Sequence, residues 1–238
     1  MNSWVNRCLD ALQPRACVAC GFDSGNANIC VSCRADLPWL GPCCDRCALP
    51  LAKAGDPACG QCLAHPPPFD ASHAPLRFSF PVNRLVHGFK FRRDSAMGQV
   101  LSEVLCSHMT TRASECKTAL PDLWVPVPMH RWRLASRMLN PAFFLAQRLA
   151  ARSGSPLAPH RLRRSRHTPT QTGLGASERK SNLRGAFCWT GQPLKSLHVG
   201  LVDDVMTTGS TVSECARVLK RNQAGYISIW IVARALNA

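Results

Sequence analysis

The most informative stretch of this 238-residue chain is residues 198–211, His-Val-Gly-Leu-Val-Asp-Asp-Val-Met-Thr-Thr-Gly-Ser-Thr. The first five residues are the apolar run of a buried strand, and an acidic pair and a short hydroxylated loop follow them. Apolar residues then recur at helical spacing, at Val212, Cys215, Ala216 and Leu219. A strand, a loop and a helix in this order predict an α/β fold with a mostly parallel sheet and flanking helices.

The loop between this strand and helix carries the chemistry. Asp203 and Asp204 would lie at the carboxyl end of the strand, where open parallel sheets bind ligands. The amides and hydroxyls of Thr207 to Thr211, together with the helix N-terminus, suit a phosphate monoester. Gly209 allows the backbone to approach such a ligand closely. Carboxylates beside an anion site favour a ligand that also carries hydroxyls, contacted directly or through hydrated Mg2+. The loop therefore predicts a sugar-phosphate site, and the alternative is an acidic turn before a capped helix.

The remaining α/β elements follow from hydrophobic periodicity. Thr211 and Glu214 have the spacing of a capping box and predict the start of the last helix. Prolines at positions 126 and 128 predict an edge strand there. The expected strands are Leu76–Phe80, Leu123–Val127, His198–Val202 and Ile227–Val232, and the expected helices are Leu85–Phe91, Met97–Cys106, Ala142–Ala151 and Val212–Lys220.

Four CxxC pairs precede this region, at Cys17, Cys20, Cys30, Cys33, Cys44, Cys47, Cys59 and Cys62. Two such pairs complete a tetrahedral four-thiolate site, so the eight cysteines predict two structural Zn2+ sites. Sequential pairing is favoured over a cross-brace because it closes shorter loops. Cys43 is an alternative ligand, and a redox dithiol would explain one CxxC pair but not four. The proline-rich segment 65–70 predicts a boundary between an N-terminal helix and zinc module, residues 1–66, and an α/β domain, residues 67–238.

Positive charge is concentrated in one part of the chain. The net charge is +15, and residues 131–184 hold twelve arginines or lysines and one acid, Glu178. Such a distribution favours polyanionic partners. Few apolar residues accompany the cluster Arg161, Arg163, Arg164 and Arg166, which predicts a mobile loop. Its alternatives are a hood over a pyrophosphate and sequence-independent contact with single-stranded DNA.

Two classes of location are disfavoured. The longest apolar runs are far shorter than the ~20 residues of a membrane-spanning helix. Charged residues interrupt the N-terminal apolar residues, so no signal peptide is expected. We therefore expect a cytoplasmic location, with the inner face of the membrane as an alternative.

Residues 202–211 resemble the motif of type I phosphoribosyltransferases that binds 5-phosphoribosyl-1-pyrophosphate (PRPP). With the four CxxC pairs, nearly the whole chain resembles the ComF family. The resemblance implies that Asp203 and Asp204 contact the ribose hydroxyls and act in catalysis, with Mg2+ accompanying PRPP. It also implies that Val205 and Met206 belong to the PRPP-binding stretch and that the 5-phosphate is held by the residues after them, namely Thr207, Thr208, Gly209, Ser210 and Thr211. Phe89-Lys90-Phe91 and Val125-Pro126-Val127-Pro128 are further family-like stretches.

The pyrophosphate side of the site would follow Pro128. Arg131, Arg133 and Arg137 lie where cations could bind the leaving group. The family pattern Arg-Gly-Phe-Asn-Gln is replaced here by Arg-Met-Leu-Asn-Pro at positions 137–141. This departure affects pyrophosphate-side catalysis more than it affects binding of the 5-phosphate.

Three functions are consistent with these features. The first is a PRPP-binding protein of DNA uptake and natural transformation that contacts single-stranded DNA, and the resemblance implies a helicase-like competence partner for it. The second is an active phosphoribosyltransferase with an unidentified nucleobase or amine acceptor. The third is a docking protein whose zinc module binds a partner while PRPP is sensed. The acceptor and the oligomeric state do not follow from the sequence.

Overall fold

The computed structural model describes residues 15–51, 58–92, 94–115, 117–129, 140–165 and 185–236. Two short helices, α1 (Val31–Ala35) and α2 (Gly60–Ala64), belong to the cysteine-rich region. The strands that follow are β1 (Ala71–His73), β2 (Leu76–Arg77), β3 (Leu123–Pro126), β4 (Leu162–Arg164), β5 (Phe187–Trp189), β6 (His198–Met206) and β7 (Tyr226–Arg234). The helices between them are α3 (Val82–His87), a π-helical segment (Gly88–Arg92), α4 (Ser95–Ser114), α5 (Pro141–Ser153) and α6 (Ser210–Arg221).

The main sheet is parallel, as predicted. Its order is β1-β7-β6-β3, and β2 also pairs with β7, beyond β1. Strand β7 is buried on both faces from Ile227 onward, which fits its almost continuous apolar sequence. Strand β3 lies at the edge, where Pro126 removes no ladder hydrogen bond that a neighbour needs.

Helices cover both faces of this sheet. On one face, α3, α4 and α5 pack against β6 and β7 around Trp124 and Trp230, whose rings meet edge to face at 5.5 Å. On the other face, α6 packs its stripe of Val212, Cys215 and Leu219 against alternate residues of both strands. The two-layered core fixes β6 at the centre of the molecule, so its carboxyl end is held from both sides.

Several predicted elements differ in extent from those in the structure. Strand β6 continues four residues past Val202, because Val205 and Met206 still pair with β7. The strand predicted at Leu76–Phe80 shortens to two residues, and β1, which the apolar pattern does not mark, pairs with β7 before it. The helix predicted at Leu85–Phe91 changes from α to π geometry at Gly88.

The cysteine-rich region packs directly on the α/β region. Trp39 forms an isolated antiparallel bridge with Leu76, and Ser72 of β1 donates its backbone N–H to the carbonyl of Asp45 at 2.7 Å. Asn28 donates to the amide oxygen of Gln99 in α4 at 2.8 Å. The boundary proposed at residue 66 stays a prediction, since contacts of this kind connect the regions on its two sides. Among the helices of the described ranges, none has the length and apolarity needed to cross a membrane.

Candidate sugar-phosphate and zinc sites

The acidic pair lies within β6, near its carboxyl end. Asp204 is buried, Asp203 is partly buried, and the two side chains point to opposite faces of the sheet because they are adjacent in a strand. Asp203 accepts the backbone N–H of Asp204 at 2.9 Å. Burial and then the charge of Asp204 raise the pKa of Asp203 to about 7, although Lys90 opposes the rise. Asp203 can therefore exchange a proton near neutral pH.

Lys90 contacts the acidic pair, which the sequence motif did not reveal. Its Nζ forms a salt bridge of 2.7 Å with Asp204 Oδ1, and the two side chains are 22% and 11% exposed. The π-helical turn is held by Phe89, whose ring occupies the space above Gly98, where an added Cβ would lie 2.5 Å from it. The distorted turn thus directs the Lys90 side chain at Asp204. Single π-helical turns occur frequently at functional sites.

The loop after β6 has the form of an anion cradle. Gly209 has a left-handed φ of 75° and is the N-cap of α6, which begins at Ser210. The Thr208 and Ser210 hydroxyls lie 2.8 Å apart. Backbone amides and hydroxyls thus meet at the positive end of a twelve-residue helix, which suits a phosphate group.

The predicted capping box is wrong. Helix α6 starts before Thr211, and its N-cap side chain makes no capping bond because the N-cap is a glycine. Glu214 instead accepts the backbone N–H of Gly185 at 3.0 Å and pairs with Arg217 at 2.8 Å. Its buried carboxylate thereby holds Gly185 beside α6.

Arg234, at the end of β7, binds the backbone at the start of the loop that follows β6. The sequence analysis did not identify this residue. Its Nη1 donates to the carbonyls of Met206 at 2.9 Å and Ala235 at 2.6 Å, and also to that of Thr207. An arginine at a strand end resembles an ordinary surface residue in sequence, so no local pattern distinguishes it.

The pyrophosphate side is only partly described. Arg131, Arg133 and Arg137 lie outside the described residues. Asn140 caps α5 by accepting the amide of Ala142 at 3.1 Å, and it donates to the carbonyl of Val127 at 3.1 Å. Pro141 occupies the first turn, where no backbone donor is needed. Asn140, which matches the family pattern, and Pro141, which departs from it, together define the start of α5 beside the end of β3.

The basic stretch is partly a strand, whereas a mobile loop was predicted. Residues 162–164 form β4, which pairs antiparallel with β5. Arg161 and Arg163 are exposed, while Arg164 is half-buried and lies over the ring of Phe187 at 5.7 Å. Arg166 lies outside the described residues. Side chains alternate along a strand, so Leu162 and Arg164 share the inward face of β4 while Arg163 points outward.

A second feature beside the acidic pair was not predicted. An open groove of about 840 Å³ runs along α3 and the π-helical segment. Phe80 and Phe91 line it with 70% and 56% of their surface exposed, and the rings of Phe91 and His87 lie 4.6 Å apart. Its cations are Arg84, Arg92 and the same Lys90 that pairs with Asp204, and none of the residues known to line it is acidic.

The cysteines converge in the predicted sequential pairing. Cys17, Cys20, Cys30 and Cys33 form one cluster, and Cys44, Cys47, Cys59 and Cys62 form the other, each with its sulfur atoms within 4.8 Å of one another. The Cys20–Cys30 and Cys47–Cys59 sulfur separations are 3.9 and 3.6 Å. A tetrahedral site with Zn–S bonds near 2.3 Å requires about 3.8 Å, so both clusters fit Zn2+.

Backbone amides favour the thiolate form of Cys17 and Cys44 by lowering the pKa of each thiol. The amides of Cys30 and Cys33 donate to the sulfur atoms of Cys17 and Cys30 at 3.4 Å. Burial alone would raise the pKa of Cys44, but backbone hydrogen bonds lower it to about 7. Four-thiolate sites leave no open coordination position, so both clusters fit zinc in a structural role.

Both parts of the chain are similar to known proteins. A family model described as a double zinc ribbon domain matches residues 8–63. Among solved structures, the adenine phosphoribosyltransferase of Leishmania tarentolae aligns with 68% of this chain and 76% of its own at 13% identity, with a TM-score of 0.41. The parallel sheet, the acidic pair and the glycine-containing loop before α6 define a phosphoribosyltransferase-like α/β protein preceded by a double zinc ribbon.

Curated relatives make the assignment more specific. The DNA utilization protein YhgH of Salmonella typhimurium is 36% identical over 88% of this chain and 91% of its own. The protein of that name from Escherichia coli K12 is 34% identical over 89% and 92%. Competence protein F of Haemophilus influenzae is 30% identical over 92% and 96%. The chain belongs to the ComF family.

Proposed function

We propose that this protein binds PRPP with Mg2+ at the carboxyl end of β6. The observation that carries the proposal is the arrangement of Asp203 and Asp204 on a central strand directly before the left-handed Gly209 and the N-terminus of α6. The loop amides and hydroxyls bind the 5-phosphate, and the carboxylates accept hydrogen bonds from the ribose hydroxyls. Lys90 offsets part of the negative charge that the acidic pair would otherwise present to a phosphorylated ligand.

Transfer of the phosphoribosyl group is the enzymatic form of this proposal. Bound Mg2+ would supply charge stabilisation for the departing pyrophosphate. The chain itself would orient the ribose through Asp203 and Asp204. The candidate cations for pyrophosphate are Arg131, Arg133 and Arg137, and their roles remain predictions. Pyrophosphate release with a panel of nucleobases and amines tests this form, and no release with any acceptor would leave binding as the function.

Calorimetry of PRPP binding tests the proposal directly. The samples are the wild type, Asp203→Asn/Asp204→Asn and the control Glu103→Gln, which changes an exposed acid on α4. We expect the double variant to lose measurable binding and the control to match the wild type. A folded, zinc-loaded wild type that does not bind PRPP overturns the proposal.

The aromatic groove favours a second function, contact with single-stranded DNA. Exposed Phe80 and Phe91 offer stacking surfaces for unpaired bases, and Arg84 and Arg92 offer cations for the phosphates between them. The groove reaches the PRPP site through Lys90, so both ligands would lie side by side. The printed names of the relatives, DNA utilization protein and competence protein, agree with a role in DNA uptake, and a helicase-like partner belongs to the same proposal.

Fluorescence anisotropy with a labelled oligothymidylate tests the groove. Base–aromatic stacking contributes about 1–3 kcal/mol per base, so Phe80→Ala/Phe91→Ala should weaken binding by at least about 10-fold. Phe22→Ala is the matched control, since Phe22 is 78% exposed but lies in the zinc region. If Arg161→Ala/Arg163→Ala weakens binding while the groove variant does not, β4 is the DNA-binding surface. Binding that neither pair affects excludes both surfaces.

A further inference from the structure

Arg234 joins the second zinc cluster to the phosphate loop. Besides its three bonds to carbonyls at the ends of β6 and β7, it donates from Nε to the carbonyl of Cys47 at 2.9 Å. The residue is only 6% exposed. One guanidinium group therefore contacts both a predicted zinc ligand and the backbone of Thr207, the first residue of the loop.

The buried guanidinium of Arg234 depends on correctly placed hydrogen-bond acceptors. A buried guanidinium is stable only when its fixed donors meet acceptors, and here all the acceptors are backbone carbonyls. The carbonyl of Cys47 has its position set by the turn from Cys44 to Cys47, and that turn closes around the metal. If the turn loosens, Arg234 loses an acceptor and can no longer hold Thr207 in the same place.

The same turn is tied to the sheet at two further points. Ser72 of β1 donates its backbone N–H to Asp45 at 2.7 Å and its hydroxyl to Arg46 at 2.5 Å. The metal-binding turn is therefore linked to β1 at one edge of the sheet and, through Arg234, to the ends of β6 and β7, where the ligand site lies.

The first zinc cluster has a different surrounding. Its region is linked to α4, through Asn28 to Gln99 at 2.8 Å and Arg34 to Ser107 at 3.5 Å. These contacts lie on a helix that packs against the sheet and not on the loop. The two chemically similar clusters thus differ in their relation to the phosphate site, which provides an internal control.

We infer that Arg234 is a positioning residue through which the second zinc cluster sets the conformation of the phosphate loop. The inference rests on the proposed PRPP function for its ligand readout, but not for its structural readout. Zinc in the second cluster should strengthen PRPP binding, and by reciprocity PRPP should increase the zinc affinity of that cluster by the same factor. Zinc in the first cluster should support folding without this coupling.

Disrupting one cluster at a time tests the inference. Cys59→Ser removes a ligand of the second cluster, and Cys20→Ser is the matched change in the first. Each variant is assayed for zinc by metal release, for PRPP affinity by calorimetry and for backbone hydrogen exchange at residues 206–210 without ligand. Coupling energies of typical size predict about 10-fold weaker PRPP binding and faster exchange for Cys59→Ser, with less than about 2-fold change for Cys20→Ser.

Variants of the arginine itself separate positioning from general stability. Arg234→Lys keeps the charge but cannot reach all four carbonyls, so it should retain two zinc ions while loop exchange quickens and PRPP affinity falls. Adding Cys59→Ser to Arg234→Lys should then cause little further loss. Equal effects of Cys59→Ser and Cys20→Ser on loop exchange, or unchanged exchange in Arg234→Lys, overturn the inference. A wild type that does not bind PRPP overturns the proposed function instead, while hydrogen exchange still decides the coupling.

Discussion

Replacing Lys90 with methionine tests how the acidic pair is maintained in the fold. Methionine keeps most of the apolar volume of the lysine stem but removes the ammonium group that lies 2.7 Å from Asp204. Asp204 is 8% exposed, so its carboxylate would stay largely removed from water. The change therefore isolates the charge pair from the packing around it.

The expected magnitude lies between two known limits. Exposed ion pairs contribute about 0.2–1 kcal/mol, whereas removing one partner of a fully buried pair costs about 3–5 kcal/mol. Because the side chains are 22% and 11% exposed, this pair is partly buried. We expect a loss of about 2 kcal/mol in the free energy of unfolding, which at a urea slope of about 2 kcal/mol/M lowers the midpoint by about 1 M.

Urea unfolding in zinc-containing buffer, followed by circular dichroism, measures the effect. A double-mutant cycle of Lys90→Met and Asp204→Asn separates the pairwise energy from other losses. Lys90→Arg should lose less, since it keeps a cation at the same position. A coupling energy below about 0.5 kcal/mol would contradict this prediction, because it would mean that solvent already screens the pair.

Three further predictions follow from the same structure. The folded state binds a proton at Asp203 more tightly than the unfolded chain does, because the pKa of this carboxyl rises from 3.8 to about 7. Without ligand, the free energy of unfolding should therefore fall as pH rises through this range, while PRPP affinity should rise as the carboxylate ionises. Measuring stability and PRPP affinity over the same pH series checks that the two change in opposite directions. Gly200→Ala places a Cβ 2.6 Å from the Trp124 ring and should destabilise the protein by at least about 2 kcal/mol in thermal unfolding. In the control Gly41→Ala, the added Cβ has no atom within 4 Å, so stability should be unchanged. Metal release should give two zinc ions per chain, and Cys43→Ser should retain both, because Cys43 lies outside the two clusters.

Spacing alone predicted much of the ligand chemistry. The CxxC intervals predicted both the zinc clusters and their sequential pairing, because a short loop restricts which thiolates can meet. The run from His198 to Thr211 predicted the central strand, the loop and the following helix, and the structure contains each of them. Chemistry that depends on residues close together in the chain can be predicted from the sequence.

Local patterns failed where a distant residue competes for the same group. Glu214 has capping-box spacing, yet its carboxylate binds Gly185, which is 29 positions away. Leu162–Arg164 looked like loop because few apolar residues surround it, but β5 supplies its hydrogen bonds. Likewise β1 owes its strand conformation to β7, since its own three residues carry no strong strand preference.

The parallel α/β organisation, the acidic pair with its loop and the two cysteine clusters could be predicted from the sequence, because each arises from residues close together in the chain. The contact of Lys90 with Asp204, 114 positions away, and the link that Arg234 makes between Cys47 and Thr207, across 187 and 27 positions, exist only in the folded protein. Those contacts depend on how the zinc module and the π-helical turn pack around the ends of β6 and β7. Such packing minimises the free energy of the whole chain and leaves no periodic mark at the residues it brings together.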